Sequence, residues 1–123
     1  MSFSFDKLEA YTSSRRLVKD VYDLTGKFPN IEKYGLSDQL RRAVISIPSN
    51  IAEGSGRSSI KEKIHFIEIA YGSLMEVYCQ LQLSLDLSYV SIGDFEVVAD
   101  KIDVVSKLLK GLRYSFKKQL SIP

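Results

Sequence analysis

The sequence is poor in the two residue types on which cross-links, metal sites and general-base catalysis most often depend. Among 123 residues there is one cysteine, Cys79, and one histidine, His65. A lone cysteine excludes a disulfide within the chain. Because Cys79 sits in an apolar helical pattern, we expect its thiol to be buried. The two residues are 14 positions apart on one predicted helix, about 21 Å along its axis, so they cannot form a Cys-His pair.

The same scarcity excludes a di-iron site completed within one chain. Glu62 and His65 have the Glu-x-x-His spacing of di-iron helical bundles. Such a centre needs that motif twice, together with two further carboxylates, and the chain has one histidine. We therefore predict no metal, no cofactor and no catalytic residues.

Long apolar runs are also absent. No segment approaches the ~18 apolar residues that a membrane span needs. The first residues lack the basic flank and apolar core of a secretory signal. We expect a cytoplasmic protein that has no membrane partner.

The charge is nearly balanced overall but uneven along the chain. There are 17 Lys/Arg and 15 Asp/Glu, yet residues 104–123 contain five bases and no acid. These bases are Lys107, Lys110, Arg113, Lys117 and Lys118. Such a segment can attract nucleic acid or an acidic partner. It can equally be a solvated helix end, where cations are favourable.

Apolar spacing predicts four helices, over about residues 6–25, 37–54, 59–89 and 93–119. The third is the clearest, because its apolar residues alternate four and three apart from Ile60 to Leu85, which is a heptad pattern. No alternation typical of strands occurs. Long helices with short connections favour antiparallel neighbours. The sequence therefore predicts one all-α domain over residues 1–123, an up-down antiparallel four-helix bundle.

Local signals suggest where these helices begin and end. Ser37 is a favourable N-cap for the second helix, and Ser59 with Glu62 forms a capping-box pattern for the third. Gly26 suits a left-handed end of the first helix. Pro48 predicts a kink inside the second helix. Gly54 and Gly56 are predicted to end that helix.

Two surfaces stand out in this pattern. The apolar stripes of the helices are wider than a single line of core contacts requires. Apolar surface that a small bundle cannot bury usually binds a partner, so we expect a homo-oligomer. On the second helix, a polar face contains Arg42, Ser46, Ser49, Asn50 and Glu53. It is either a solvated surface or a buried network in which Arg42 or Arg57 pairs with Glu53. In the network, Asn50 would cap groups freed by Pro48.

Several short motifs resemble one protein family. They are Phe28-Pro29 with Glu32, Tyr34-Gly35-Leu36, Gln39-Leu-Arg-Arg-Ala43, Ser46-Ile47, Asn50-Ile-Ala-Glu-Gly54 with Arg57, Phe66, Ile69-Ala70, Gly72-Ser-Leu74 and Glu76. Together they resemble the bacterial four-helix-bundle family known from intervening sequences in 23S rRNA genes. The segment from Asn50 to Gly54 after the Arg41-Arg42 pair is the most specific of them.

The resemblance implies an up-down bundle, a homopentamer and no established enzymatic activity. A related accessory protein of diversity-generating retroelements is a basic pentamer that binds nucleic acid and a reverse transcriptase. The resemblance thus implies RNA, DNA or a reverse transcriptase as partner. This chain departs from that relative in being only mildly basic.

Two functions follow from the sequence. The first is a non-catalytic oligomeric module that binds nucleic acid, or accompanies a ribonucleoprotein. Its phosphate contacts would come from Arg41, Arg42, Arg57, Lys107, Lys110, Arg113, Lys117 and Lys118, and its signature polar face would comprise Ser46, Asn50, Glu53 and Gly54. The alternative is a protein–protein interaction scaffold without nucleic-acid binding.

Overall fold

The chain forms four α-helices joined by short connections. The computed structural model describes residues 1–121, which contain no strand, so Ile122 and Pro123 of the acid-free segment lie outside it. The helices are α1 (Glu9–Thr25), α2 (Leu36–Ser55), α3 (Ile60–Asp86) and α4 (Ile92–Leu120). Short 3-10 turns occur at Ser4–Lys7 and Asn30–Glu32. The all-α prediction is confirmed.

Each helix packs against the next, and α4 closes the bundle against α1. The α2–α3 contact is the most extensive and the α1–α4 contact the least. Two side-chain bonds show the register. The hydroxyls of Ser46 and Ser73 lie 2.8 Å apart, and Lys101 Nζ donates to Asp20 at 2.8 Å. The midpoints of the helices are therefore level, as in the predicted up-down bundle.

One apolar core runs along the bundle, because each helix buries the stripe that its sequence spacing places on one side. Its fully buried members include Leu17 and Val21 of α1, Leu40, Val44, Ile47 and Ile51 of α2, Leu74, Val77 and Leu81 of α3, and Val105 and Leu109 of α4. The heptad pattern of the third helix thus correctly identified its core side.

The start of α2 differs from the prediction. The N-cap is Gly35 rather than Ser37, and the helix begins at Leu36. A Glu32 oxygen accepts the Leu36 N–H at 3.3 Å, so a glutamate from the preceding turn replaces the predicted serine. The other Glu32 oxygen accepts the Tyr89 hydroxyl at 2.9 Å, and this hydrogen bond raises the pKa of Tyr89. Ser37 is instead buried.

The starts of α3 and α4 follow the serine pattern. Ser59 Oγ accepts the Glu62 N–H at 3.1 Å, which is the first half of the predicted capping box. Ser91 Oγ accepts the Asp94 N–H at 3.1 Å in the same way. Serine thus caps two of the four helices.

Two helix ends also correct the sequence analysis. Gly26 follows α1 as expected but is right-handed, with φ −60°. The third helix, predicted to reach Tyr89, ends at Asp86 because Ser88 is left-handed, with φ 62°. The Tyr89 N–H then donates to Ser84 O and the Ser88 N–H to Leu85 O, both at 2.9 Å. This is a Schellman end with serine at the position that usually holds glycine.

Candidate nucleic-acid interface

Charge is segregated along the bundle. A plane close to the helix midpoints divides the chain into residues 1–16, 46–74 and 104–121 on one side, and residues 17–45 and 75–103 on the other. The first group, the basic half, has 11 Lys/Arg and 5 Asp/Glu, a net charge of +6. The second group, the acidic half, has 6 Lys/Arg and 10 Asp/Glu, a net charge of −4. The small overall charge therefore conceals two strongly charged ends.

The predicted phosphate-binding residues fall into two separate groups. Arg57, Lys107, Lys110, Arg113, Lys117 and Lys118 lie in the basic half. Arg41 and Arg42 lie in the acidic half, where Arg41 Nε donates to Thr25 Oγ1 at 2.9 Å near the end of α1. Arg57 is 16 residues beyond Arg41, about 24 Å along the helix direction. The structure thus brings six of the eight residues to one half of the bundle.

Several of these cations have acidic partners on the surface. Arg57 contacts Glu53 at 2.8 Å, Lys107 contacts Asp103 at 3.0 Å, and Arg113 contacts Glu68 at 3.1 Å. Such exposed pairs stabilise a fold by only ~0–1 kcal/mol, so a phosphate can compete for the cation.

Three lysines of α4 are less engaged. Lys110, Lys117 and Lys118 have no carboxylate within ion-pair distance among residues 1–121. The Lys110 and Lys118 ammonium groups lie 5.5 and 5.7 Å from the ring centres of Tyr71 and Tyr114. These lysines are the cations of α4 that are most available to an anionic ligand.

A groove between α3 and α4 adjoins Lys110. It encloses about 330 Å³ over an apolar floor of Ile67 and Leu109, beside Tyr71, Lys110 and Arg113. Hydrogen bonding from Ser106, and next from Lys110, lowers the pKa of Tyr71. The sequence pattern placed Tyr71 only among the apolar residues of the third helix. It did not reveal Ser106 and Lys110 as its neighbours, because these depend on the register between α3 and α4.

The signature polar face of α2 is largely a connection to α3. Asn50 Nδ2 donates to the Ser46 carbonyl at 2.8 Å and to Ser46 Oγ at 2.9 Å, and Ser46 Oγ lies 2.8 Å from Ser73 Oγ. These groups are partly buried. Asn50 therefore caps the Ser46 carbonyl, whereas the carbonyl freed by Pro48 is that of Val44, four residues earlier.

The C-terminal end of this polar face lies where α2 meets the start of α3. Glu53 pairs with Arg57, one of the two expected arginines, while Arg42 pairs with Asp38 at 2.9 Å. The Arg57 guanidinium lies 4.6 Å from the centre of the Phe66 ring. The ion pair is exposed, so the predicted buried network extends only as far as Asn50 and Ser46.

Gly54 has a packing role in that corner. It lies inside α2 rather than at its end, and it is buried. A Cβ added to Gly54 would stand 2.8 Å from the Phe66 Cβ, which is too close for two carbon atoms. Glycine is thus required by the close approach of the two helices, and Gly56 is the residue that follows the helix end.

The expected burial of Cys79 is wrong, because its side chain is exposed. Apolar residues occur on every side of the helix around it, so the pattern did not show which side faces the core. Within residues 1–121, no group of three or more His, Cys, Asp or Glu is placed to hold a metal ion. No helix in that range is long and apolar enough to cross a membrane.

The fold places the chain among the small antiparallel four-helix bundles, in this case one with a basic half. Comparison with known proteins identifies its family. The model of the 23S rRNA-intervening sequence protein family matches residues 6–111, and the chain belongs to that family. The resemblance inferred from the motifs is therefore confirmed.

A solved structure supports the fold independently. It is a protein of unknown function from the S23 ribosomal protein family of Bacteroides thetaiotaomicron. The TM-score is 0.79 at 23% identity, over 85% of this chain and 95% of that chain. At that identity the likeness concerns the fold alone. No curated protein matches the chain.

Proposed function

We propose that the protein is a non-catalytic, homo-oligomeric, cytoplasmic module that binds nucleic acid through its basic half and serves as an accessory to a ribonucleoprotein. The observation that carries this proposal is the net charge of +6 in that half against −4 in the other. Lys/Arg neutralisation of phosphates supplies sequence-independent affinity for RNA or DNA. The family's description, which refers to 23S rRNA, favours RNA.

The outer side of α3 supports the homo-oligomer. From Ile69 to Leu85 the helix has one charged residue, Glu76, and exposed apolar surface of this kind usually marks a partner. In the single chain this side is open, since Ile69, Met75 and Leu83 are 37%, 39% and 47% exposed. We call Ile69, Met75, Cys79 and Leu83 the outer stripe of α3, and a second copy of the chain is its proposed cover.

Oligomerisation would strengthen binding to nucleic acid. The outer stripe and the groove beside Tyr71 lie on adjacent sides of α3, and none of the α3 residues that line the groove belongs to the stripe. An assembly through the stripe can therefore leave the groove and the α4 lysines free. Each added protomer with the same orientation contributes another basic half to one face. A modest affinity per protomer then becomes a large one through multivalency.

The direct test is a fluorescence-anisotropy titration with a structured RNA and a DNA duplex at two salt concentrations. We expect affinity that falls steeply with salt. In the triple variant Lys110→Glu, Lys117→Glu and Lys118→Glu, affinity should fall at least about tenfold, and the slope of log K against log salt should become shallower by about 2 to 3 because three phosphate contacts are lost.

A matched control carries the same reversal of three lysines in the acidic half, at Lys19, Lys27 and Lys33. It changes the net charge equally, so long-range repulsion is similar in both variants. Equal weakening of the two variants would contradict the assignment of binding to the basic half.

The second candidate function, a protein–protein interaction scaffold, is favoured by the outer stripe of α3 alone. An apolar stripe of this kind fits a helical protein partner as well as a second copy. Absence of RNA and DNA binding even at low salt would make the scaffold the better description.

A further inference from the structure

The groove between α3 and α4 has a lining that a phosphate alone does not need. Its floor is apolar, from Ile67 and Leu109, and the half-buried Tyr71 lies beside that floor. Its volume of about 330 Å³ falls within the range of small-molecule sites, ~300–1,000 Å³. An apolar floor stabilises a ligand by removing apolar surface from water. The occupant that this lining fits is therefore a flat group with apolar faces.

A row of cations follows the α4 side of the groove. Lys110 and Arg113 line it, and Lys117 is exposed one turn beyond Arg113. Residues three and four apart lie on the same side of a helix, so these three cations form one row. At ~1.5 Å per residue the row is about 10 Å long. It is longer than a single phosphate and fits consecutive phosphates of a strand.

A carboxylate on the α3 side distinguishes the groove from a simple anion site. Glu68 lines the groove, and its Oε1 accepts from Arg113 Nε at 3.1 Å. Because this contact uses Nε, the terminal nitrogens of Arg113 can still donate to a phosphate. Glu68 itself repels a phosphate, but a carboxylate accepts hydrogen bonds from the amino group of a base. The groove thus offers cations to a backbone and an acceptor to a base.

The Tyr71 ring can exchange its present neighbour for a base. The Lys110 ammonium lies 5.5 Å from the centre of that ring. At an exposed site such a cation–π contact changes an equilibrium constant about 2- to 5-fold. Stacking of one base on an aromatic side chain changes it about 5- to 150-fold. A base therefore displaces the ammonium, which its flexible side chain can carry to a neighbouring phosphate.

From these contacts we infer that the groove holds one unpaired base of a single-stranded nucleic acid. The base stacks on Tyr71, and the flanking phosphates contact Lys110 and Arg113. A paired base cannot enter, because its faces are already stacked inside the duplex. The inference rests on the proposed nucleic-acid function and narrows its target to single strands and loops, whose bases are accessible to aromatic side chains.

The test is a fluorescence-anisotropy titration of the native protein with short RNAs of equal phosphate number. They are an adenine single strand, a strand in which abasic spacers replace the bases, and a duplex. We expect the adenine strand to bind at least about fivefold more tightly than the abasic strand, which is the lower limit for stacking of one base. The two strands have the same charge, so this comparison needs no variant of the protein.

Tyr71→Leu removes the ring and keeps an apolar side chain in the groove. It should weaken binding of the adenine strand at least about fivefold and leave the abasic strand and the duplex unaffected. Tyr71→Phe keeps the ring and should bind like the native protein. The matched control is Tyr114→Leu. Tyr114 is 65% exposed and has Lys118 at 5.7 Å, but it does not line the groove, so its variant should bind all three RNAs normally.

Two results would overturn the inference, and they differ in what they mean for the proposed function. The first is salt-dependent binding with equal affinity for the adenine and abasic strands, or an equal loss in Tyr71→Leu and Tyr114→Leu. It would leave the basic half as a phosphate-binding surface and assign the groove to an apolar side chain of a protein partner. The second is no binding of any of the three RNAs at low salt, which contradicts the proposed function as well.

Discussion

At the residue scale, Gly54 shows how a signature position can serve packing rather than chemistry. The sequence suggested a helix end, because glycine commonly stops helices. The structure places Gly54 one residue before the end of α2, against Phe66 of α3. That contact joins residues 12 positions apart across a turn. No local rule reports it, because it depends on how closely two helix axes approach.

Replacing Gly54 by alanine should therefore destabilise the fold. The new Cβ would meet the Phe66 Cβ at 2.8 Å, and overpacking of this kind costs about 1–3 kcal/mol. The higher helix propensity of alanine returns about 1 kcal/mol at most. Urea unfolding followed by circular dichroism measures the balance.

Gly111→Ala is the control for that change, because a Cβ there meets nothing within 4 Å in the middle of α4. It should raise the free energy of unfolding by up to about 1 kcal/mol. Equal responses of the two variants would show that α2 and α3 separate easily at Gly54.

At the element scale, the apolar period predicted the type and order of all four helices, and their ends were less predictable. Leu87 and Tyr89 continue the apolar pattern of α3 beyond its last residue. The helix ends earlier because the backbone turns left-handed at Ser88. Nothing in the side-chain pattern marks serine for that conformation. The start of α2 was missed for a similar reason, since its cap is supplied by Glu32 from outside the helix.

Ser88→Gly is expected to stabilise the protein. A left-handed conformation costs a residue other than glycine roughly 1 kcal/mol, and glycine adopts it freely. Because glycine also gains entropy in the unfolded chain, we expect a net increase of about 0.5 kcal/mol in the free energy of unfolding. Thermal and urea unfolding of Ser88→Gly beside Ser88→Ala measure it. A gain in both variants, or in neither, would contradict this account of the end of α3.

At the scale of the whole molecule, the basic end of α4 was visible in the sequence, and its acidic counterpart was not. The acidic half collects carboxylates from all four helices, so it appears only when the helices are folded side by side. The same folding moved Arg41 and Arg42 away from the other predicted cations. Linear charge counting thus singled out five of the six candidate residues that lie in the basic half, and the sixth is Arg57.

The outer stripe of α3 leads to a prediction about assembly. Leu83→Glu places a charge at the most exposed apolar residue of that stripe, where it would lose its hydration in the proposed contact. We expect sedimentation velocity at micromolar concentration to show an oligomer of the native chain and a monomer of the variant. Ile31→Glu, at a loop residue that is 85% exposed, should sediment like the native chain. If the native protein sediments only as a monomer, the proposed homo-oligomer is contradicted.

Separated charge also gives the bundle a permanent electric dipole moment along its long axis. Side by side, two such dipoles repel when they point the same way and attract when they are opposed. In a ring of parallel protomers, apolar contacts must therefore overcome this repulsion. Added salt screens the repulsion and would strengthen the association of the protomers. An antiparallel pair would loosen under the same change. The direction in which salt shifts the assembly equilibrium thus reports the relative orientation of the protomers.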